Sequence, residues 1–155
     1  MAVLHMMMGI QGSGKSTYSN KLSKQLNCKI MSTDEVRKAN PNLEEKYVFP
    51  EVFRLCSIEL QNNRDVIFDA TNITPNVRNR NLNAIRTLYP DFEVYLYFIN
   101  TDVETCKKRV AIRNTLPGEI FIPLEVIESY SKNIIPPTEE EKFDKVIVLT
   151  NYEEK

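Results

Sequence analysis

Gly9-Ile10-Gln11-Gly12-Ser13-Gly14-Lys15-Ser16-Thr17 meets the spacing G-x-x-x-x-G-K-[ST] without a mismatch. Ahead of it, Val3 to Met8 is an almost unbroken apolar run, as suits a strand buried on both faces. Behind it, Lys15 to Leu26 can be drawn as a helix, which places the stretch at a strand-to-helix turn. Glycines let the backbone turn tightly with several N–H groups facing inward, and the helix adds the positive end of its dipole. A di- or triphosphate therefore meets donors already aimed at it. In such a loop Gly9, Gln11, Gly12, Ser13, Gly14 and Thr17 shape the cradle, Lys15 reaches the outer phosphates and Ser16 holds a magnesium ion.

Outward from that loop, the 155 residues contain no Gly/Ser/Pro linker, repeat or low-complexity tract, so a single domain over 1–155 is expected. A formal net charge of -1 gives no overall attraction to nucleic acid, and any such contact needs a local patch. Cys28, Cys56 and Cys106 are odd in number and lack C-x-x-C spacing, which argues against a disulfide frame or a structural zinc site. Met1 to Met8 has neither a basic start nor a cleavage site, and no stretch has the length of a membrane span. A cytoplasmic setting without membrane attachment is the expectation.

Strands and helices alternate along the chain. A short apolar segment, Cys28 to Met31, ends at Ser32-Thr33-Asp34-Glu35, where Ser32 and Glu35 have capping-box spacing for a second helix. From Pro50, Val52, Phe53, Cys56 and Leu60 recur at helical spacing, and Asp65 to Asp69 reads as a buried strand. Pro75 opens a helix whose stripe is Val77, Leu82, Ile85 and Leu88; Phe92 to Ile99 is a further strand. A helix from Asp102 runs to the Asn114–Gly118 break, another from Pro123 closes at Pro136-Pro137, and the last strand is Lys145 to Leu149. This order calls for an α/β fold with a five-stranded parallel sheet covered on both sides, sites forming beyond the carboxyl ends of its strands.

Those ends carry the candidate chemistry. Asp69, after three apolar strand residues, is placed to orient magnesium or its waters, or else to cap the turn at Thr71. Two readings also stand for Asp34. It accepts the proton of an attacking hydroxyl while Arg37, one turn on, holds an anionic group of the acceptor; or the two form a solvated pair at a helix start. Arg109 and Arg113 share a helix face and suit a lid over about 109–122 that clamps the transferring phosphate, or a basic helix end that complements the dipole. His5 and the run Met6-Met7-Met8 read as core.

Taken together, the loop, Met31 to Arg37, Phe68-Asp69-Ala70-Thr71-Asn72 with Pro75 and Arg78, and the Arg109/Arg113 pair resemble the kinase domain of polynucleotide 5′-hydroxyl kinases, and the tail Tyr130 to Thr138, ending Pro-Pro-Thr, is similar to the corresponding stretch of some members. The resemblance implies a P-loop kinase-like three-layer sandwich with a helical and loop lid. ATP and Mg2+ would serve the donor side, and the γ-phosphate would pass to a 5′-hydroxyl end of DNA or RNA. It assigns Lys15 and Ser16 to donor phosphate and metal, Asp34 to the base, Arg37 to the acceptor's phosphate and Arg113, with Arg109, to the lid. Thr71, Asn72 and Arg78 fall on the acceptor side, and Arg80 and Arg86 extend a basic edge. Some members carry their acid where this chain has Ala70. The Asp-x-Asp-Gly-Thr and Lys-x-Asp-Gly motifs of fused phosphatase and ligase domains do not occur, which leaves a kinase alone. Two rivals accompany this expectation: a kinase of a small-molecule alcohol such as a sugar, nucleoside or antibiotic, and a nucleotide-binding switch that transfers nothing.

Overall fold

The computed structural model describes residues 1–150 and Tyr152. Its strands are β1 (Val3–Met8), β2 (Lys29–Ser32), β3 (Val66–Asp69), β4 (Glu93–Asn100) and β5 (Lys145–Thr150). All pair in parallel in the order β2-β3-β1-β4-β5. The helices are α1 (Lys15–Leu26), α2 (Thr33–Ala39), α3 (Val48–Gln61), α4 (Pro75–Leu88), α5 (Val103–Arg113) and α6 (Leu124–Lys132).

β1 is buried throughout and apolar but for His5, because both of its faces are covered. Leu4, Met6 and Met8 point to the side where α3 and α4 pack, with Val52, Cys56, Leu60, Leu82 and Ile85. Met7 points to the other side, where α1 contributes Tyr18 and Leu22. His5 shares that second face, and its ring bonds Tyr97 Oη at 2.7 Å and Asp65 Oδ2 at 2.9 Å, which satisfies both nitrogens in the core. The expected cover is incomplete at one edge: β5 packs Ile147 and Leu149 inward and leaves Val146 and Val148 exposed.

Several boundaries differ from expectation for local reasons. α3 begins at Val48, two residues before Pro50, because a proline in the first turn gives up no intrahelical donor. α6 ends at Lys132, short of the expected close at Pro136-Pro137, whereas α5 ends at Arg113, at the break expected there, so the stretch expected as a lid takes in the end of a helix and an irregular segment, 114–123. Asn114 closes that segment on itself, its side chain donating to Ile122 O at 2.8 Å and accepting from Ile122 N at 2.9 Å. Among the described residues no helix is long and apolar enough to cross a membrane.

Candidate active site

The turn between β1 and α1 is built as the glycine spacing requires. Gly12 and Gly14 lie at φ 81° and 106°, left-handed conformations that side chains disfavour. A Cβ on Gly12 would stand 2.5 Å from Cys106 O, and one on Gly14 would stand 3.1 Å from Tyr152 Cδ1. The loop is thus wedged between α5 and the residue beyond β5. Ser13 is buried, Gly9 N donates to Thr71 O at 2.9 Å, and the Thr101 hydroxyl donates to Ser13 O at 2.7 Å. Thr101 and Tyr152 carried no sequence signal: an isolated threonine and a tail tyrosine acquire meaning only when neighbouring strands bring them to the loop.

A cavity of about 380 Å³ opens in front of this turn. Gln11, Lys15 and Ser16 line it from the loop, Asp34 and Arg37 from α2, and Asp69, Ala70 and Thr71 from the end of β3. Sequence positions separated by dozens of residues therefore meet because β1, β2 and β3 are parallel neighbours and end level. A second opening beside it, of about 400 Å³, shares Ser16, Asp34 and Asp69 and adds Thr17 and Arg113. An apolar wall faces the polar groups: Phe49 of α3, Phe121 of the irregular segment, and Val126 and Tyr130 of α6.

Lys15 Nζ lies 3.4 Å from Ile10 O, and among the described residues no carboxylate forms an ion pair with it. Asp69 is buried, and burial pushes its carboxyl above the ordinary range. Lys15 pulls it back, and the negative charge of Asp34 pushes it up again. Hydroxyls of Ser19 and Ser16 also reach Asp69. This donor set fits a magnesium ion of the kind found with nucleoside phosphates, which takes one or two protein oxygens and keeps water and phosphate for the rest. The Ser16 hydroxyl and the Asp69 carboxylate would hold it; Ala70, also in the wall, has no donor to offer.

Asp34 is exposed to the cavity and accepts from Arg37 Nη1 at 2.9 Å. Arg37 also binds a partner that spacing did not reveal: its Nη2 donates to Glu45 Oε1 at 2.6 Å, and its Nε reaches both Glu45 oxygens. The hydrogen bond to Glu45 raises Arg37's already high pKa, and that to Arg37 holds Glu45 below the usual carboxylate range.

Three candidate residues take other places. Arg78 was expected on the acceptor side and is fully buried; its guanidinium bonds Glu141, Asn72 O and Ile135 O. Asn72 is buried too, its amide donating to Met7 O and its carbonyl oxygen accepting from Asn81, so its polar atoms are spent inside the fold. Both tie the end of β3 to α4 rather than face a ligand. The basic edge loses Arg78 accordingly, while Arg80 and Arg86 stay exposed, the latter over the Phe92 ring, 5.5 Å from its centre. Arg109 donates to Gly12 O at 3.1 Å and to Tyr152 O at 3.0 Å, bracing the loop from α5. Arg113, at the end of the same helix, faces the second opening.

A family model described as AAA domain matches residues 4–137. No curated protein sequence matches the chain. Kti12 of Chaetomium thermophilum in complex with ADP-AlF3 is similar in structure, with a TM-score of 0.74 and 15% identity over 95% of this chain and 88% of that one. A fungal RNA kinase superposes with a TM-score of 0.68 and 15% identity, covering 99% of this chain and 76% of that one. The APS kinase CysC of Mycobacterium tuberculosis in complex with AMPPNP and APS gives a TM-score of 0.64 and 16% identity, covering 95% and 88%. Identities this low relate the chains by fold: a P-loop kinase-like α/β domain.

Proposed function

The chain belongs to the AAA domain family, and from that premise we propose that it is an ATP-dependent kinase transferring the γ-phosphate to the 5′-hydroxyl end of DNA or RNA. The observation that carries the reading is the shared cavity. Lys15 and Ser16 on one side and the Asp34 carboxylate on another open into the same space, which leaves room for an alcohol between them. The turn's backbone donors and Lys15 hold the triphosphate, and magnesium held by Ser16 and Asp69 supplies charge neutralisation at the phosphates. Asp34 takes the hydroxyl proton as the oxygen attacks in line, positioning and electrostatics being the main catalytic effects. Arg37 meets a phosphate carried by the acceptor. Arg109 steadies the loop, and Arg113 approaches from the side of α5. The aromatic side chains Phe49, Phe121 and Tyr130 offer flat apolar surfaces to the terminal base.

A second reading, a small-molecule alcohol as acceptor, is favoured by a different observation. The cavity is the size of a single small ligand, and the expected basic edge is reduced by the burial of Arg78. A labelled-ATP assay with 5′-hydroxyl oligonucleotides against a panel of sugars and nucleosides separates them. Transfer to the oligonucleotide is expected; transfer only to a small alcohol reverses the order. In the same assay Asp34→Asn is expected to lose about 10²–10⁴-fold in rate while nucleotide binding persists. Unchanged transfer in that variant removes Asp34 as the base.

A further inference from the structure

The two cations of α2 that border the cavities are each shared between two carboxylates. Arg37 binds Glu45 and Asp34. Lys38 lies 4.0 Å from Glu35 and 3.9 Å from Glu119. On the acceptor side the consequence is specific. Glu45 takes the Nε–Nη2 edge of the guanidinium, one of the edges that could grip a phosphate with two parallel hydrogen bonds, and Asp34 takes a donor of Nη1. One positive charge faces two negative ones, so an anionic acceptor entering here meets net repulsion unless a carboxylate leaves. Asp34 is anchored in the first turn of α2 and is the proposed base. Glu45 belongs to a short 3-10 turn, Glu45–Tyr47, and its side chain is 68% exposed, so water can receive it when it lets go.

We propose that Glu45 is a specificity residue of the acceptor site: it occupies Arg37 in the acceptor-free protein and is exchanged for a phosphate group that the acceptor carries next to its reacting hydroxyl. This rests on the reading of the cavity as an acceptor site. Exchange of one anion for another keeps the guanidinium satisfied throughout. A phosphate bearing two negative charges and three oxygens competes for the edge better than a carboxylate, whereas a neutral alcohol leaves the Glu45–Arg37 pair in place. Glu45 thereby sets how strongly an acceptor phosphate is rewarded, acting through Arg37 rather than by touching the reacting atoms.

The test is binding of two probes, a nucleoside 3′-monophosphate and the same nucleoside without phosphate, to the full chain with magnesium and AMPPNP present. The quantity read is the ratio of the two dissociation constants. Glu45→Gln is expected to shift that ratio about tenfold in favour of the phosphorylated probe, and Glu45→Ala is expected to shift it the same way. In an Arg37→Gln background the same changes at Glu45 are expected to leave the ratio where it was, the non-additivity of two residues acting as a unit. A flat ratio in both Glu45 variants, no binding of either probe to any of the proteins, or an equal shift without Arg37 overturns the proposal. Phosphate transfer is scored separately. A shifted ratio without transfer to any acceptor sinks the kinase reading and leaves the exchange standing; transfer with a flat ratio does the reverse.

Discussion

Arg78 Nε donates to Glu141 Oε1 at 2.7 Å across 63 residues of sequence, with the two side chains 0% and 3% exposed. The second guanidinium edge is engaged as well, Nη1 donating to Asn72 O at 2.9 Å and Nη2 to Ile135 O at 3.1 Å. This pair ties the segment before β5 to α4 and to the turn after β3, next to Thr71 of the cavity wall. Removing one partner leaves a buried charge uncompensated. Arg78→Ala or Glu141→Ala is expected to cost about 3–5 kcal/mol, measured by urea unfolding.

The same pair gives an acid limb to stability. Burial raises the Glu141 pKa, but Arg78 and the Thr138 N–H and hydroxyl more than offset it, and the net effect is to hold it below the ordinary carboxylate range. A carboxylate depressed in the folded state contributes stability that is present above the unfolded value and lost as pH falls through the folded one. Melting temperature is therefore expected to decline below about pH 4.3 through this group. Glu141→Gln should flatten that part of the profile.

Asp69 carries the opposite sign. Its pKa is raised, first by burial, so its contribution is intact below the unfolded carboxylate range and is lost as pH climbs through the folded value. Asp69→Asn is expected to stabilise the ligand-free protein at pH 7, on the order of 1 kcal/mol, while weakening the magnesium-dependent gain in nucleotide affinity. Thermal melts with and without Mg·AMPPNP read both effects. A variant destabilised at neutral pH contradicts the assignment.

Gly12 has no room for a methyl group and stands at a φ that side chains avoid. Gly12→Ala is expected to lose at least about 1–3 kcal/mol from backbone strain, with the contact to Cys106 O added. Its nucleotide binding should fall more steeply than its melting temperature, because the displaced atoms are those of the cradle.

Arg109 braces the loop through Gly12 O and Tyr152 O, two carbonyls held by one planar fork. Arg109→Ala is expected to raise the nucleotide dissociation constant roughly tenfold, and Arg109→Lys to recover little, since an ammonium cannot span both acceptors with the same geometry. Isothermal titration with AMPPNP measures both.

What could be read from the residues alone was whatever is local or periodic. The loop from Gly9 to Thr17 announced itself by spacing, the apolar runs of β1, β3 and β4 by continuity, and α4 by Pro75 and its stripe. From the alternation of these elements followed a five-stranded parallel sheet with Lys15, Asp34 and Asp69 at one end, since parallel neighbours must end on the same side. Tertiary structure alone decided which polar residues turn outward. Arg78 and Asn72 share a short stretch with Thr71, yet the first two are drawn inward by Glu141, Asn81 and Met7 O while Thr71 reaches the cavity. Glu45 found Arg37 from 8 residues away and Thr101 found Ser13 O across 88, through contacts that no pattern of spacing encodes. The division is physical. Periodicity records the burial of a whole face, a sum over many residues, whereas the role of one polar side chain depends on which single donor or acceptor the folded chain sets within about 3 Å of it.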